Sequence, residues 1–353
     1  MSLHFFRLRP SPEAFRRTLQ AVFALLSLGV GWRFFRFLAW ALGASDQFSP
    51  RPAGVEAFLP ISALLGFRRL LTTGLWDNVH PAGLTIFISA LLMALLFRKG
   101  FCGYVCPVGF VSHWLAQVGR AFGISRDLPR LAERLMGVPK YVLLGFFLMT
   151  VVRMPGDQLE SFLFSPYNMV SDAKLMRFFL SPSGTAVAVL ALLVAASLVL
   201  RNFWCRFLCP YGALLGLVSL LSPLAVWRDE ARCVSCGRCR RVCPAAIDVP
   251  KKVRVNSSLC IGCMQCIGAC PVPGCLAPAL FGCVGGKGLC RAEEGGGASA
   301  VACPPRRVSP LVAGLGAAGL LLLAWIWAKA TGHWDAAIPQ AMLRMIYMRG
   351  MAQ

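Results

Sequence analysis

The sequence has 353 residues, of which 57% are hydrophobic and only 14% charged, with a net charge of +21 and sixteen cysteines. Soluble domains carry about a quarter charged residues, so this composition excludes an ordinary soluble globular protein. The basic residues are dispersed and sort by side of a membrane, which excludes a nucleic-acid-binding role.

Crossing the hydrocarbon takes about 20 apolar residues. Five runs qualify, at about 19–44, 80–97, 138–154, 185–200 and 309–328. Lysine and arginine crowd the N-terminus (Arg7, Arg9, Arg16, Arg17), the segment after the second run (Arg98 and Lys99 to Lys140) and the segment after the fourth (Arg201 to Arg307). The opposite loops hold few: Arg51, Arg68 and Arg69 in one, Lys174 and Arg177 in the other. The positive-inside rule then places the N-terminus in the cytoplasm and the C-terminus in the periplasm. Arg33 and Arg36 interrupt the first run, and no compact small-residue cleavage site follows it, which favours an uncleaved span over a signal peptide.

The expected organisation is a cytoplasmic N-terminus (1–18) and a four-span membrane domain (19–226). A cytoplasmic ferredoxin domain with a Cys/Gly-rich tail (227–307), a fifth span (308–330) and a periplasmic tail (331–353) follow. Arg33 and Arg36 inside a span, and His80 at the start of another, are candidate quinone contacts, because intramembrane charge and a near-neutral imidazole suit a quinol headgroup. The bland reading is that the arginines snorkel and His80 is interfacial. Glu56 and Asp77 are weaker candidates of the same kind.

After the second run comes FCGYVCPVG (Phe101–Gly109), and after the fourth RNFWCRFLCPYG (Arg201–Gly212). Aligned, Arg98 matches Arg201, Cys102 matches Cys205, Cys106 matches Cys209, and Gly109 matches Gly212. This is an internal hairpin repeat of the sort that builds symmetric sites in membrane proteins. Cysteines at i and i+4 share a helix face, and the proline discourages helix at the second. Cys102, Cys106, Cys205 and Cys209 together supply four thiols. Three readings stay open: a shared iron–sulfur centre, two redox-active dithiols, or buried structural thiols. His113, just beyond the first motif, is a cluster neighbour or an ordinary helix residue.

CVSCGRCRRVCP (Cys233–Pro244) and CIGCMQCIGACP (Cys260–Pro271) both read C-x2-C-x2-C-x3-C-P. That is the spacing of two-cluster ferredoxins, in which the fourth cysteine of each motif ligates the other cluster. Cys233, Cys236, Cys239 and Cys270 are therefore expected to hold one 4Fe–4S cluster, and Cys260, Cys263, Cys266 and Cys243 the second. Gly237, Gly262 and Gly268 are expected to relieve crowding in the loops. Structural zinc fits less well, since zinc sites pair their ligands in twos without the terminal Cys-Pro. Disulfides are disfavoured in a reducing compartment.

Beyond the double motif, Cys275, Cys283, Cys290 and Cys303 have irregular spacing and read as a further metal site or as free thiols. Four histidines with no pair across spans argue against a bis-His haem, and no C-x2-C-H attaches a c-type haem. Met342, Met345, Met348 and Met351 recur every third residue and suit an amphipathic helix on the membrane better than a Cu(I) site.

Two C-x3-C-P motifs in membrane hairpins followed by a double ferredoxin motif resemble the NapH-type polyferredoxin family. That family is related to the C-terminal region of NosR, to MauN-like proteins and to CcoG-type oxidase accessory proteins. The resemblance spans roughly residues 80–308. It implies an inner-membrane protein of bacteria that passes electrons between the quinone pool and other redox subunits, such as a ferredoxin-like protein, a cytochrome or a periplasmic reductase. The long loop at 51–67 and the Cys/Gly-rich tail depart from the pattern. The expected fold is an α-helical integral membrane protein of about five spans with an inserted ferredoxin-like α+β domain of the βαββαβ sort. Expected cofactors are two 4Fe–4S clusters, with a third centre and a quinone as candidates. Alternative roles are an accessory protein that reduces a metal or cofactor for a respiratory enzyme, or a redox-sensing membrane regulator.

Overall fold

The structure is a computed structural model and describes residues 12–126, 128–280, 306–336 and 338–352. Cys283, Cys290 and Cys303 lie outside the described residues. The chain opens with helix α1 (Pro12–Ala41), followed by α2 (Pro60–Thr73) and α3 (Pro81–Phe97). Then come α4 (Pro107–Ala121), α5 (Arg130–Met136), α6 (Val138–Arg153), α7 (Gly156–Leu163), α8 (Pro166–Met169), α9 (Ser171–Leu180), α10 (Gly184–Val199) and α11 (Pro210–Val218). Seven of these helices carry proline in the first turn, where its missing N–H is no loss and its fixed φ starts the helix.

Three helical segments are long and apolar enough to cross a membrane: Pro12–Ala41, Leu131–Arg153 and Val312–Ala330. The last of these is the helix that follows the small sheet domain. A fourth span is formed if α9 and α10, bent by 79° at their junction, count as one. Among the described residues that makes three spans, or four with the bent pair, so the expected five are not reached. The 80–97 run became the 17-residue α3, which lies mostly buried in the middle of the bundle, where its apolar surface meets protein. The 185–200 run needs α9 to reach spanning length.

Between α11 and the last spanning helix sits a small sheet. Strands β1 (Leu224–Arg228), β2 (Arg254–Val255), β3 (Leu276–Leu280) and β4 (Arg306–Arg307) order as β2-β1-β3-β4, all antiparallel. Short helices α12 (Arg238–Val242) and α13 (Gln265–Gly268) pack against each other beside it. A βαββαβ domain has two strands between its helices. Here Pro250 starts a short turn and only Arg254 and Val255 pair, so one strand forms there. The chain closes with α14 (Val312–Ala330) and α15 (Gln340–Ala352).

One hydrophobic core joins sheet and bundle. Ile86, Ala90 and Met93 of α3, Leu215 of α11 and Ala313 and Ala317 of α14 share it with Leu224, Val226, Val255 and Met264 of the sheet domain. The sheet domain is thus welded to the bundle by burial of apolar surface, the dominant favourable term in such packing. A second core lies toward the C-terminal end of α1, where Phe34, Phe37 and Leu38 meet Val170, Ala173 and Tyr347.

Candidate metal centres

Two cavities open in the sheet domain. The first is lined by Cys233, Cys236, Cys239 and Cys270, joined by Cys275. The second is lined by Cys243, Cys260, Cys263 and Cys266. Each gathers three cysteines of one motif and the remote cysteine of the other. The local backbone is the same in both loops. Ser235 and Gly262 occupy one left-handed position, and Gly237 and Met264 the next (φ between 52° and 70°). Only Gly237 and Gly262 are glycines of the kind that conformation favours. Gly268 instead lies in the short helix α13, with open space where a Cβ would stand. Among the described residues no three ligand groups converge as they would on a single metal ion.

The two cavities differ in setting. Cys236 is exposed, and Arg238, Arg240 and Arg241 around it face solvent. The backbone N–H of Ser235, with help from Arg228, holds the Cys233 thiol below its usual range. Cys243 and Cys263 are buried, and burial, with the neighbouring Cys263 thiolate, pushes Cys243 up to about 12. A cluster would need these thiols deprotonated, so the buried site depends more on the charge that surrounds it.

Both C-x3-C-P repeats fold alike. Phe101–Val105 and Trp204–Leu208 each form a single π-helical turn, closed by Cys106 N–H to Phe101 O and Cys209 N–H to Trp204 O, both 2.9 Å. Such turns gather at functional sites. The second cysteine of each pair is not on the same helix as the first. It is the extended N-cap of α4 or α11, because the residue before proline avoids the helical region. The helix N-terminus then offers its free N–H groups to that thiol, as Gly212 N–H does to Cys209 Sγ at 3.2 Å. A Cβ on Gly109 would stand 2.6 Å from the Cys102 carbonyl oxygen, which explains this half of the matched glycines.

The four thiols come together. Cys205 interacts electrostatically with Cys102, Cys106 and Cys209, and Cys102 with Cys209. Tyr211 packs beside them against Phe101. Two buried lysines, Lys99 and Lys140, flank the quartet, and neither has a carboxylate partner among the described residues. Lys140 Nζ lies over the Tyr141 ring at 5.0 Å, and a buried cation without a counter-charge is costly, so the surroundings suit an anionic group at the quartet.

Sequence reasoning aligned Arg98 with Arg201 and gave neither a role. Both are buried, and both clamp the sheet domain. Arg98 donates to Ser219 O (2.8 Å), Asn256 Oδ1 (2.7 Å) and Val255 O. Arg201 donates to Arg241 O (2.9 Å) and Cys243 O (3.3 Å), next to the buried cavity. The repeat itself was the signal that could have found them.

The candidate quinone contacts are not brought to the cysteines. Arg33 is exposed on α1, and Arg36 is also exposed and donates to Gln47 at 2.7 Å. His80 is buried and donates its Nε2–H to Asn168 O at 2.9 Å. It belongs to a network in which Arg51 pairs with Glu56 and Asp172, each at 2.7 Å. Tyr347 of α15 donates to Asp172 at 2.8 Å, and Gly83 N–H donates to Glu56 at 2.9 Å. Asp77 Oδ1 accepts from Val79 N–H. Helix α3 separates this network from Cys102 by about 25 Å, given 1.5 Å of rise for each of its 17 residues. Of the methionine stripe, Met342, Met345 and Met348 are exposed, while Met351 packs near Tyr347, which docks α15 on Phe37 of α1.

A family model described as a 4Fe-4S binding domain matches residues 79–125 and 183–226, the two hairpin repeats, and one described as a 4Fe-4S dicluster domain matches 225–271. The chain is 38% identical over 250 residues, 70% of each chain, to YccM of Escherichia coli, provisionally named an electron transport protein. It is 30% identical to the ferredoxin-type protein NapH of Haemophilus influenzae over 54% of this chain and 67% of that one. It is also 30% identical to the methylamine utilization ferredoxin-type protein MauN of Paracoccus denitrificans, over 48% of this chain and 56% of the relative. No solved structure matches the chain.

Proposed function

The chain belongs to the NapH-type polyferredoxin family and is a membrane iron–sulfur electron-transfer protein, and from that premise we propose a path between the quinone pool and a partner redox subunit. Cys233, Cys236, Cys239 and Cys270 hold one 4Fe–4S cluster, and Cys243, Cys260, Cys263 and Cys266 the second. Cys102, Cys106, Cys205 and Cys209 hold a third iron–sulfur centre. When bound, these centres supply one-electron chemistry at potentials set by charge, hydrogen bonding and exposure.

One observation carries this reading. The first π-turn lies backbone to backbone on the loop of the buried cavity. Tyr104 OH donates to Gly262 O at 2.9 Å, and a Cβ on Gly103 would stand 2.5 Å from Ile261 O. The residues thus order three sites from the bundle outward: the quartet, the buried cavity, the exposed cavity. Tunnelling falls steeply with distance, so this order keeps successive sites close. The exposed arginines around Cys236 then give an acidic redox partner a place to dock.

The quinol gives up its electrons at the quartet's end of the bundle, not at Arg33, Arg36 or His80, which lie far from every cysteine site. That end faces the cytoplasm of a bacterial inner membrane, as the lysine and arginine distribution favours. Iron and sulfide analysis with EPR tests the ligand sets. Wild type is expected to carry about twelve irons, falling to about eight in Cys102→Ser/Cys205→Ser. About eight in both proteins removes the third centre. Quinol added anaerobically to the protein in nanodiscs is expected to reduce the clusters, and failure to reduce them overturns the quinone link.

A further inference from the structure

Arg16 stands out among the polar side chains of the chain. It is fully buried, and all three of its guanidinium nitrogens lack a hydrogen-bond partner among the described residues. Burying a charge without a partner is among the costliest things a fold can do, so a residue in this state implies a counter-charge that the described side chains do not provide. Its location shows which one. The first turn of α1 rests on α13, where Gln265 Nε2 donates to Glu13 Oε1 at 3.4 Å. Gln265 lies between Cys263 and Cys266 in sequence. Arg16 follows Glu13 by one helical turn, and its charge acts on Cys263 and Tyr104, both at the buried cavity. His113 of α4 stands nearby. Burial and then the Arg16 charge drive its pKa down to about 3, so it remains neutral and adds no second cation. Glu13, one turn earlier on α1, is committed to Arg17 at 2.5 Å.

We propose that Arg16 is a positioning residue for the buried cluster site, supplying the positive charge that balances an anionic iron–sulfur centre on Cys243, Cys260, Cys263 and Cys266. This inference rests on the ligand assignment made above. A cluster with four thiolate ligands carries net negative charge, and a buried cation beside it favours the extra electron, which raises the reduction potential. The exposed cavity is served by solvent and by arginines on its rim, so the same effect is weaker there. Helix α1 thereby belongs to the redox site as well as to the membrane anchor.

The test is an EPR-monitored redox titration of the full-length protein in nanodiscs. Arg16→Gln is expected to lower the midpoint of one four-iron signal, leave the others unmoved and keep the iron content of wild type. Arg17→Gln, which alters an exposed neighbour, is expected to move neither. Unchanged midpoints in an iron-replete Arg16→Gln protein overturn the proposal, as does an equal shift in Arg17→Gln. If Arg16→Gln fails to retain iron, hydrogen exchange on wild type decides. Removing iron is expected to raise exchange in residues 12–20 well above any change in residues 30–41, and equal changes in the two stretches overturn the proposal. Cys263→Ser separates the two levels of the argument. If no four-iron signal of the wild type disappears in that variant, the ligand assignment has failed, independently of Arg16.

Discussion

At one end of the bundle the guanidinium of Arg51, its side chain 9% exposed, meets two buried carboxylates, Glu56 and Asp172, with Tyr347 and His80 completing the network. At the other end Arg16, Lys99 and Lys140 are buried deeper still and meet no carboxylate among the described residues. Both ends remove cations from water. Among the described residues only the first contains carboxylates that neutralise its cation, in a network drawn from four separate stretches of chain. The second places its cations around twelve cysteines in three groups, whose thiols would become anionic if they took up iron. The first end neutralises its buried cations with its own carboxylates, and the second, among the described residues, does not.

The sharpest way to break this comparison is at Arg51. Arg51→Met leaves Glu56 and Asp172 buried without a cation, and a loss of about 3–5 kcal/mol is expected in thermal unfolding, while iron per folded chain stays the same. A fall in iron content instead would mean that the two ends are coupled. Lys140→Met probes the cysteine end and is expected to show opposite signs in two states. With iron bound, the variant is less stable by roughly 1.5–3 kcal/mol, the range for contacts with charged groups. After iron removal it equals or exceeds wild type, because a buried charge with no carboxylate counter-ion among the described residues has gone. Equal losses in both states would refute the idea that the lysine answers the cluster.

Smaller effects separate the two repeats. Gly109→Ala drives a methyl toward the Cys102 carbonyl and is expected to cost about 1–3 kcal/mol with loss of the quartet's iron. At the matching Gly212 a Cβ would meet nothing nearer than 3.5 Å, so Gly212→Ala should be close to neutral in the same assays. Two equal losses would show that the glycines serve something other than steric approach. Tyr104→Phe removes one hydrogen bond to Gly262 and is expected to cost about 1 kcal/mol, with little change in iron.

Much of this was legible in the cysteines. Their grouping around the two cavities follows from local spacing, because a cubane fixes how many residues would separate neighbouring thiolates, and the crossing of Cys243 and Cys270 into the opposite cavities follows from the motif. The likeness of the two C-x3-C-P hairpins was also readable, down to the arginines that precede them. What those arginines hold was not, since Arg98 reaches residues more than a hundred positions away and Arg201 reaches about forty. His80 looked like a lone interfacial imidazole until Glu56, Arg51 and Asn168 were placed around it. The spans were legible as apolar runs, yet hydropathy alone does not say whether an apolar helix faces lipid or, like α3, other helices.

The sequence by itself determined that this is a membrane protein with a double ferredoxin motif and a repeated thiol pair, because each of those rests on composition or on residues near one another in the chain. Only the tertiary structure decided that the thiol pairs meet, that the first of them lies against the loop of the buried cavity, and that Arg16 is a guanidinium without a partner among the described residues and not one more count in a charge bias. Those facts depend on burial and on contacts between distant segments, and the same arginine in water would carry no information at all.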